Sequence, residues 1–180
     1  MDHNPYSVGE ELDKSTTARK GQTPEALVRT MQIVAAALML GVLVFLGIVL
    51  VITQGDVSGK PELMTMMAAG FGALMIVSHF VIPAISVKLH LRQAAAELTA
   101  KKTDDDKRVR MYGIYQAQLT IGFALLEGAA FFNLIAMSAE NSVVSLGVVI
   151  LLLGLMAVKF PTRDKVSFWV ENKLRELQLR

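Results

Sequence analysis

Four stretches of this chain are too long and too apolar for the helices of a water-soluble domain, and they restrict the fold before any single residue is weighed. Ile33 to Ile52 runs 20 residues without a charge, and Leu63 to Val87 has His79 as its only ionisable side chain. Met111 to Ala139 has Glu127 as its only carboxylate or base, and Val143 to Val158 is uncharged. A helix that crosses a bilayer needs about 20 residues, with a range of roughly 17 to 25. Three runs meet that length, and the fourth meets it once Lys159 stretches its ammonium to the water. A hydrophobic content of 53% over 180 residues agrees with the membrane class. The expected fold is all-α, a four-helix transmembrane bundle with spans at about 31–52, 63–87, 112–138 and 143–160.

The basic residues orient these spans. Seventeen of the 18 Lys and Arg residues fall before the first span, between the second and third, or after the fourth. Lys60 alone stands in the other connections. This asymmetry places both termini and the middle connection in the cytoplasm of a cell whose inner (plasma) membrane holds the chain. Residues 1–22 are polar and mixed in charge, unlike a signal peptide, and are expected to form a mobile cytoplasmic arm.

Local signals set the helix ends. Thr23-Pro24-Glu25 reads as an N-cap, a proline at the first helical position and a carboxylate beside the positive end of the dipole. The second helix continues its apolar pattern to about Lys102, and Thr103-Asp104-Asp105-Asp106 reads as the cap of the third, so the two form a long cytoplasmic hairpin. Pro161 ends the fourth span. The segment 162–180 places Val166, Trp169, Val170, Leu174 and Leu177 on one stripe, an amphipathic helix lying on the cytoplasmic leaflet or docked on the hairpin.

Small residues mark the faces that turn toward protein in a membrane. On the first helix Ala37 and Gly41 stand four apart; on the second, Ala68, Gly72, Met75, His79, Pro83, Ser86 and His90 share a face. On the third, Gln116, Thr120, Phe123, Glu127, Ala130 and Leu134 share one. A hairpin pivoting at Thr103 puts His79 level with Glu127, Ser86 with Thr120 and His90 with Gln116. Glu127 and His79 are therefore the candidate ion-binding pair, with Gln116, Thr120, Ser86 and His90 as the supporting polar face. An ionisable group at mid-membrane is costly and marks a functional site by default. The competing role is a hydrogen-bonding staple between helices.

The stretch TIGFALLEGAAFFNLIA, Thr120 to Ala136, resembles the carboxylate-bearing helix of ring subunit c of rotary ATP synthases. That resemblance covers about twenty residues and implies Glu127 as a reversible proton or sodium site. Over its whole length the chain resembles small four-span bacterial membrane proteins with a similar EGAAFFNLIA stretch.

Enzymatic chemistry finds no support. The chain has no cysteine, and His3, His79 and His90 are too dispersed for a metal site. No glycine-rich phosphate loop and no nucleophile beside a base is present. The expectation is a non-enzymatic scaffold or accessory subunit without a cofactor. Its partners would be the lipid bilayer and other membrane subunits or further copies of itself, and not nucleic acid.

Overall fold

The computed structural model describes residues 23–98 and 104–178, with the side chains at 83, 84, 86–88, 90–98, 104, 106, 177 and 178 outside the described set, Pro83, Ser86 and His90 among them. The expected arm at 1–22 and the break at Thr103 also lie outside the described residues. Five helices follow one another: α1 Pro24–Ile52, α2 Leu63–Leu98, α3 Asp104–Glu140, α4 Val143–Val158 and α5 Arg163–Gln178. Among the described residues there is no strand, only isolated bridges from Ser58 and Gly59 to Ser142.

The start of α1 follows its local sequence. Thr23 is extended, its Oγ1 accepts from the Ala26 amide at 3.3 Å, and Pro24 occupies the first helical turn. At the other end Thr53 Oγ1 donates to the Val49 carbonyl at 3.0 Å. Gln54 and Gly55 then turn the chain with φ of 52° and 73°. α2 and α3 have 36 and 37 residues. At about 1.5 Å per residue each is roughly 55 Å long, well beyond a hydrocarbon core of about 30 Å.

α1, α3 and the Leu63–Ile82 part of α2 are long and apolar enough to cross a membrane. α4 is not. It has 16 residues and is bent 65° away from α5, so a fourth crossing exists only if that broken pair is counted as one. The reason is Pro161, which stops the helix two residues after Lys159.

α3 is the hub. It packs against α1, α2, α4 and α5, whereas α1 and α2 share no extended interface. One apolar cluster fills the membrane-depth part of the bundle, with Val42 and Val49 of α1, Phe123, Leu126, Ala130 and Leu134 of α3, and Val149, Leu152 and Met156 of α4. A second cluster joins Leu27, Val28 and Met31 of α1 to Met111, Tyr112 and Ile114 of α3 and Val166 and Val170 of α5. The stripe on α5 therefore docks on protein: Val166 and Val170 are buried, and Trp169 and Leu174 pack beside them. Arg163 pairs with Glu25 across this layer. Lys165 Nζ reaches back to the Val158 carbonyl at 3.0 Å, satisfying one orphan acceptor at the end of α4.

Candidate functional site

The polar groups of α3 divide between two sides of the helix. Toward α2 they are consumed by packing. His79 is buried and its Nδ1 lies 3.0 Å from the Gly122 carbonyl, so that nitrogen carries the proton and donates. About three turns farther along, Asn133 is fully buried and its Nδ2 donates to the Ala68 carbonyl at 3.0 Å and to its own helix at Ala129 at 2.9 Å. Its Oδ1 is buried without a partner. Gly72 makes room for this contact, since a Cβ there would stand 3.4 Å from Asn133 Nδ2 and 3.1 Å from Val148 Cγ1.

At the end of α3, Glu140 folds over the start of α2. Its carboxylate accepts from the amides of Glu62 at 3.1 Å, Met64 at 2.9 Å and Thr65 at 2.9 Å. These are donors that a helix N-terminus leaves unsatisfied. Thr65 and Ser145 share a buried hydroxyl pair at 3.3 Å, which ties α2 to α4. The loop before α2 is pinned at Gly59, whose amide donates to the Asn141 carbonyl at 3.1 Å. A Cβ on Gly59 would press into the Glu140 peptide and come 3.1 Å from the Asn141 carbonyl carbon. Asp56 Oδ1 accepts from the Ser58 hydroxyl and amide at 2.6 and 2.9 Å, and these bonds hold its carboxyl below the usual carboxylate range.

Glu127 is on the other side. It is half-buried and points at α1: a Cβ on Gly41 would stand 3.3 Å from Glu127 Oε1 and 3.8 Å from the Phe131 ring. The close approach expected at Gly41 is thus present, and Phe45 seals it with an edge-on contact to Phe131 at 5.4 Å. Ala37 faces outward. Among the described residues Glu127 makes no hydrogen bond and no ion pair.

The geometry separates His79 from Glu127. The carbonyl that His79 engages belongs to a residue five positions before Glu127, about 7.5 Å along the helix at 1.5 Å per residue. Pairs at equal depth on α2 and α3, such as Ala68 with Asn133 and Phe71 with Phe132, are centred near residue 101, midway between Leu98 and Asp104, and not on Thr103. The cap residue of α3 is not the midpoint of the hairpin, and that difference displaces the partner of His79 by more than a turn. Of the supporting face, Thr120 is exposed and Gln116 half-buried. Ser86 and His90 are on α2, with side chains outside the described residues.

Asn133 and Glu140 are what sequence reasoning missed. Both were visible as polar residues at the ends of an apolar run, and their partners, Ala68 and the α2 amides, are 65 and 75 to 78 residues away. Among the described residues no group of three His, Cys, Asp or Glu could hold a metal ion.

Fold and site together define an all-α protein with three helices able to span a membrane and, on its central helix, a carboxylate without a partner among the described residues. Family models, curated proteins and solved structures yield no match to this chain.

Proposed function

We propose that the chain is a non-enzymatic integral membrane protein, a scaffold or accessory subunit of an inner-membrane assembly whose α3 receives a helix of another subunit. It would cross the membrane four times, with α4 the short last crossing and both termini, the α2/α3 hairpin and α5 on the cytoplasmic side. The supporting observation is Glu127: a mid-membrane carboxylate that no group among the described residues satisfies. Beside it α3 is uncovered between α1 and α2 along Gly113, Ala117, Thr120, Ala124 and Gly128, all exposed. A Cβ on Gly113 or Gly128 would meet nothing within 4 Å. A polar group in hydrocarbon is compensated by a hydrogen-bond donor, and small residues let a helix come close enough to bring one. The partner that fits is a transmembrane helix with a donor near its middle.

A second reading, a proton or sodium site completed at that junction, is favoured by the same unspent carboxylate and by the resemblance around Thr120 to Ala136. Replacing Glu127 with Gln and with Ala, followed by crosslinking at Gly128→Cys in native membranes and by proton and sodium flux in vesicles, separates the two. Loss of the crosslinked species in Glu127→Ala with flux absent throughout supports the docking role. Flux that Glu127→Gln abolishes in a folded protein supports ion handling. A crosslinking pattern indifferent to both replacements, with no flux in the parent protein, overturns both.

A further inference from the structure

Where α5 crosses α3, a cavity of about 310 Å³ opens between Tyr115 on one side and Lys165, Phe168, Trp169, Lys173 and Glu176 on the other. We infer that this cavity binds the phosphate headgroup of an anionic phospholipid from the leaflet on the α5 side. The inference rests on the membrane reading of the chain and adds a specific ligand to it.

Donors outnumber acceptors in the lining. Two ammonium groups, a phenol, an indole N–H and the Asn172 amide line it with a single carboxylate, and that carboxylate, Glu176, is already tied to Lys173 at 2.7 Å. Lys165 uses one of its three donors on the Val158 carbonyl and keeps two. A ligand rich in acceptor oxygens and carrying negative charge completes such a lining. The volume is roughly ten times that of a water molecule in the liquid, enough for a phosphate with its attached glycerol.

The apolar part of the lining distinguishes a lipid from a free anion. Phe168 is 69% exposed on a face that also holds two lysines, and Trp169 stacks against Tyr115 with centroids 5.2 Å apart at 60°. Aromatic rings at the polar–apolar boundary are the usual partners of the glycerol region. The 65° bend after α4 lays α5 across the bundle at the end of the apolar runs, where a headgroup sits. A soluble phosphate ester would leave Phe168 uncovered; an acyl chain descending beside it does not.

Trp169 is the only tryptophan of the chain, so its fluorescence reports from this cavity alone. The full chain is reconstituted into phosphatidylcholine nanodiscs containing increasing fractions of brominated phosphatidylglycerol, with brominated phosphatidylcholine and added inorganic phosphate as the other arms. Quenching by the anionic lipid is expected to half-saturate at a clearly lower mole fraction than by the zwitterionic one. Lys173→Gln, which removes the ion pair to Glu176 and one of the two ammonium groups, should weaken that preference about fivefold, the contribution of one basic residue near a charged leaflet. Lys173→Arg should keep it. Circular dichroism of each variant verifies that α5 remains helical.

Equal quenching by the two lipids, or a preference unchanged in a folded Lys165→Gln/Lys173→Gln variant, overturns the inference. So does inorganic phosphate that abolishes the preference at millimolar concentration, because the site would then recognise the free ion. Failure of the membrane reading looks different: the chain would stay in the aqueous phase when detergent is removed and would not enter nanodiscs.

Discussion

Asn133 is the polar side chain on which the α2/α3 interface most depends, and its contribution can be worked from the contacts. Its Nδ2 crosses to the Ala68 carbonyl at 3.0 Å and binds the Ala129 carbonyl at 2.9 Å. Both acceptors belong to helix interiors, so Asn133→Ala removes two hydrogen bonds without creating an orphan. In a membrane one interhelical bond contributes about 0.6 kcal/mol on average and up to roughly 1.7. The lost side-chain volume beside Gly72 and Val148 adds a packing term of order 1 kcal/mol. The expected destabilisation is therefore about 1.5 to 2.5 kcal/mol, well short of unfolding. Asn133→Asp keeps the shape but sets carboxylate oxygen against two carbonyl oxygens. Burying that charge costs about 2.5 to 3.5 kcal/mol at a helix centre, on top of the lost bonds. Asp must then be worse than Ala, which no argument from volume alone predicts. Gly72 supplies the cross-check. Gly72→Ala alone crowds Val148 and Asn133, and in an Asn133→Ala background one of those two neighbours is gone, so the double variant should cost less than the sum of the singles. Reversible unfolding in mixed micelles, followed by circular dichroism against SDS mole fraction, measures all four proteins. An Asn133→Ala value below about 0.3 kcal/mol, with Asp no worse, would refute the reasoning, since it lies under any interhelical bond of average strength.

Other positions give sharper or milder outcomes. Gly59→Ala should destabilise by about 1 to 3 kcal/mol, because the added methyl meets the Glu140 and Asn141 backbone, which cannot yield as a side chain would; the same micelle titration measures it. Glu127→Gln should change stability by less than about 0.5 kcal/mol, since no internal hydrogen bond is lost, while altering whatever Glu127 does in an assembly. Asp56 has a folded-state pKa below its unfolded one, so the turn it forms with Ser58 is fully favoured above the unfolded value of about 3.9 and is lost as pH falls through the folded value. Carboxyl carbon shifts across pH 2 to 6 should place the Asp56 midpoint below that of a model Asp. Val170→Asp should undock α5 and move Trp169 emission to the red, since Val170 is 2% exposed against α1 and α3.

What the sequence made legible was local. Thr23-Pro24-Glu25 started α1 as its side chains dictate, the stripe from Val166 to Leu174 became the buried face of α5, and Gly41 proved to be where α1 comes close to α3. What stayed hidden was depth and rotation. In water an amphipathic helix advertises its buried face, but a membrane helix is apolar all round, so the face of α3 that meets α2 is not written in its hydropathy. A miscount of two residues at the pivot was enough to set His79 against Glu127 when its partner is the Gly122 carbonyl. Three crossings stand on helix length alone, and Val143 to Val158, with the composition of a crossing in 16 residues, makes a fourth only together with α5.

The corrected geometry changes what Glu127 means. On the α2 side of α3 several polar groups are paired inside the chain, the Gly122 carbonyl with His79, the Asn133 Nδ2 with Ala68, and the Glu140 carboxylate with three amides at the start of α2, while the buried Asn133 Oδ1 and Gln118 Oε1 are not. These three ties are spread along α3 and join apolar contacts such as Phe71 with Phe132 across the same interface. A further staple at Glu127 would have to act toward α1, and there it finds Gly41, which offers no side-chain donor. A carboxylate is an expensive way to pack against a glycine, because the charged or hydrogen-bonding group must be desolvated with nothing returned. An alanine or leucine at that position would serve α1 and α3 better. On the proposed reading its partner is a donor on another helix or an ion, and the exposed strip from Gly113 to Gly128 is the side from which either would come.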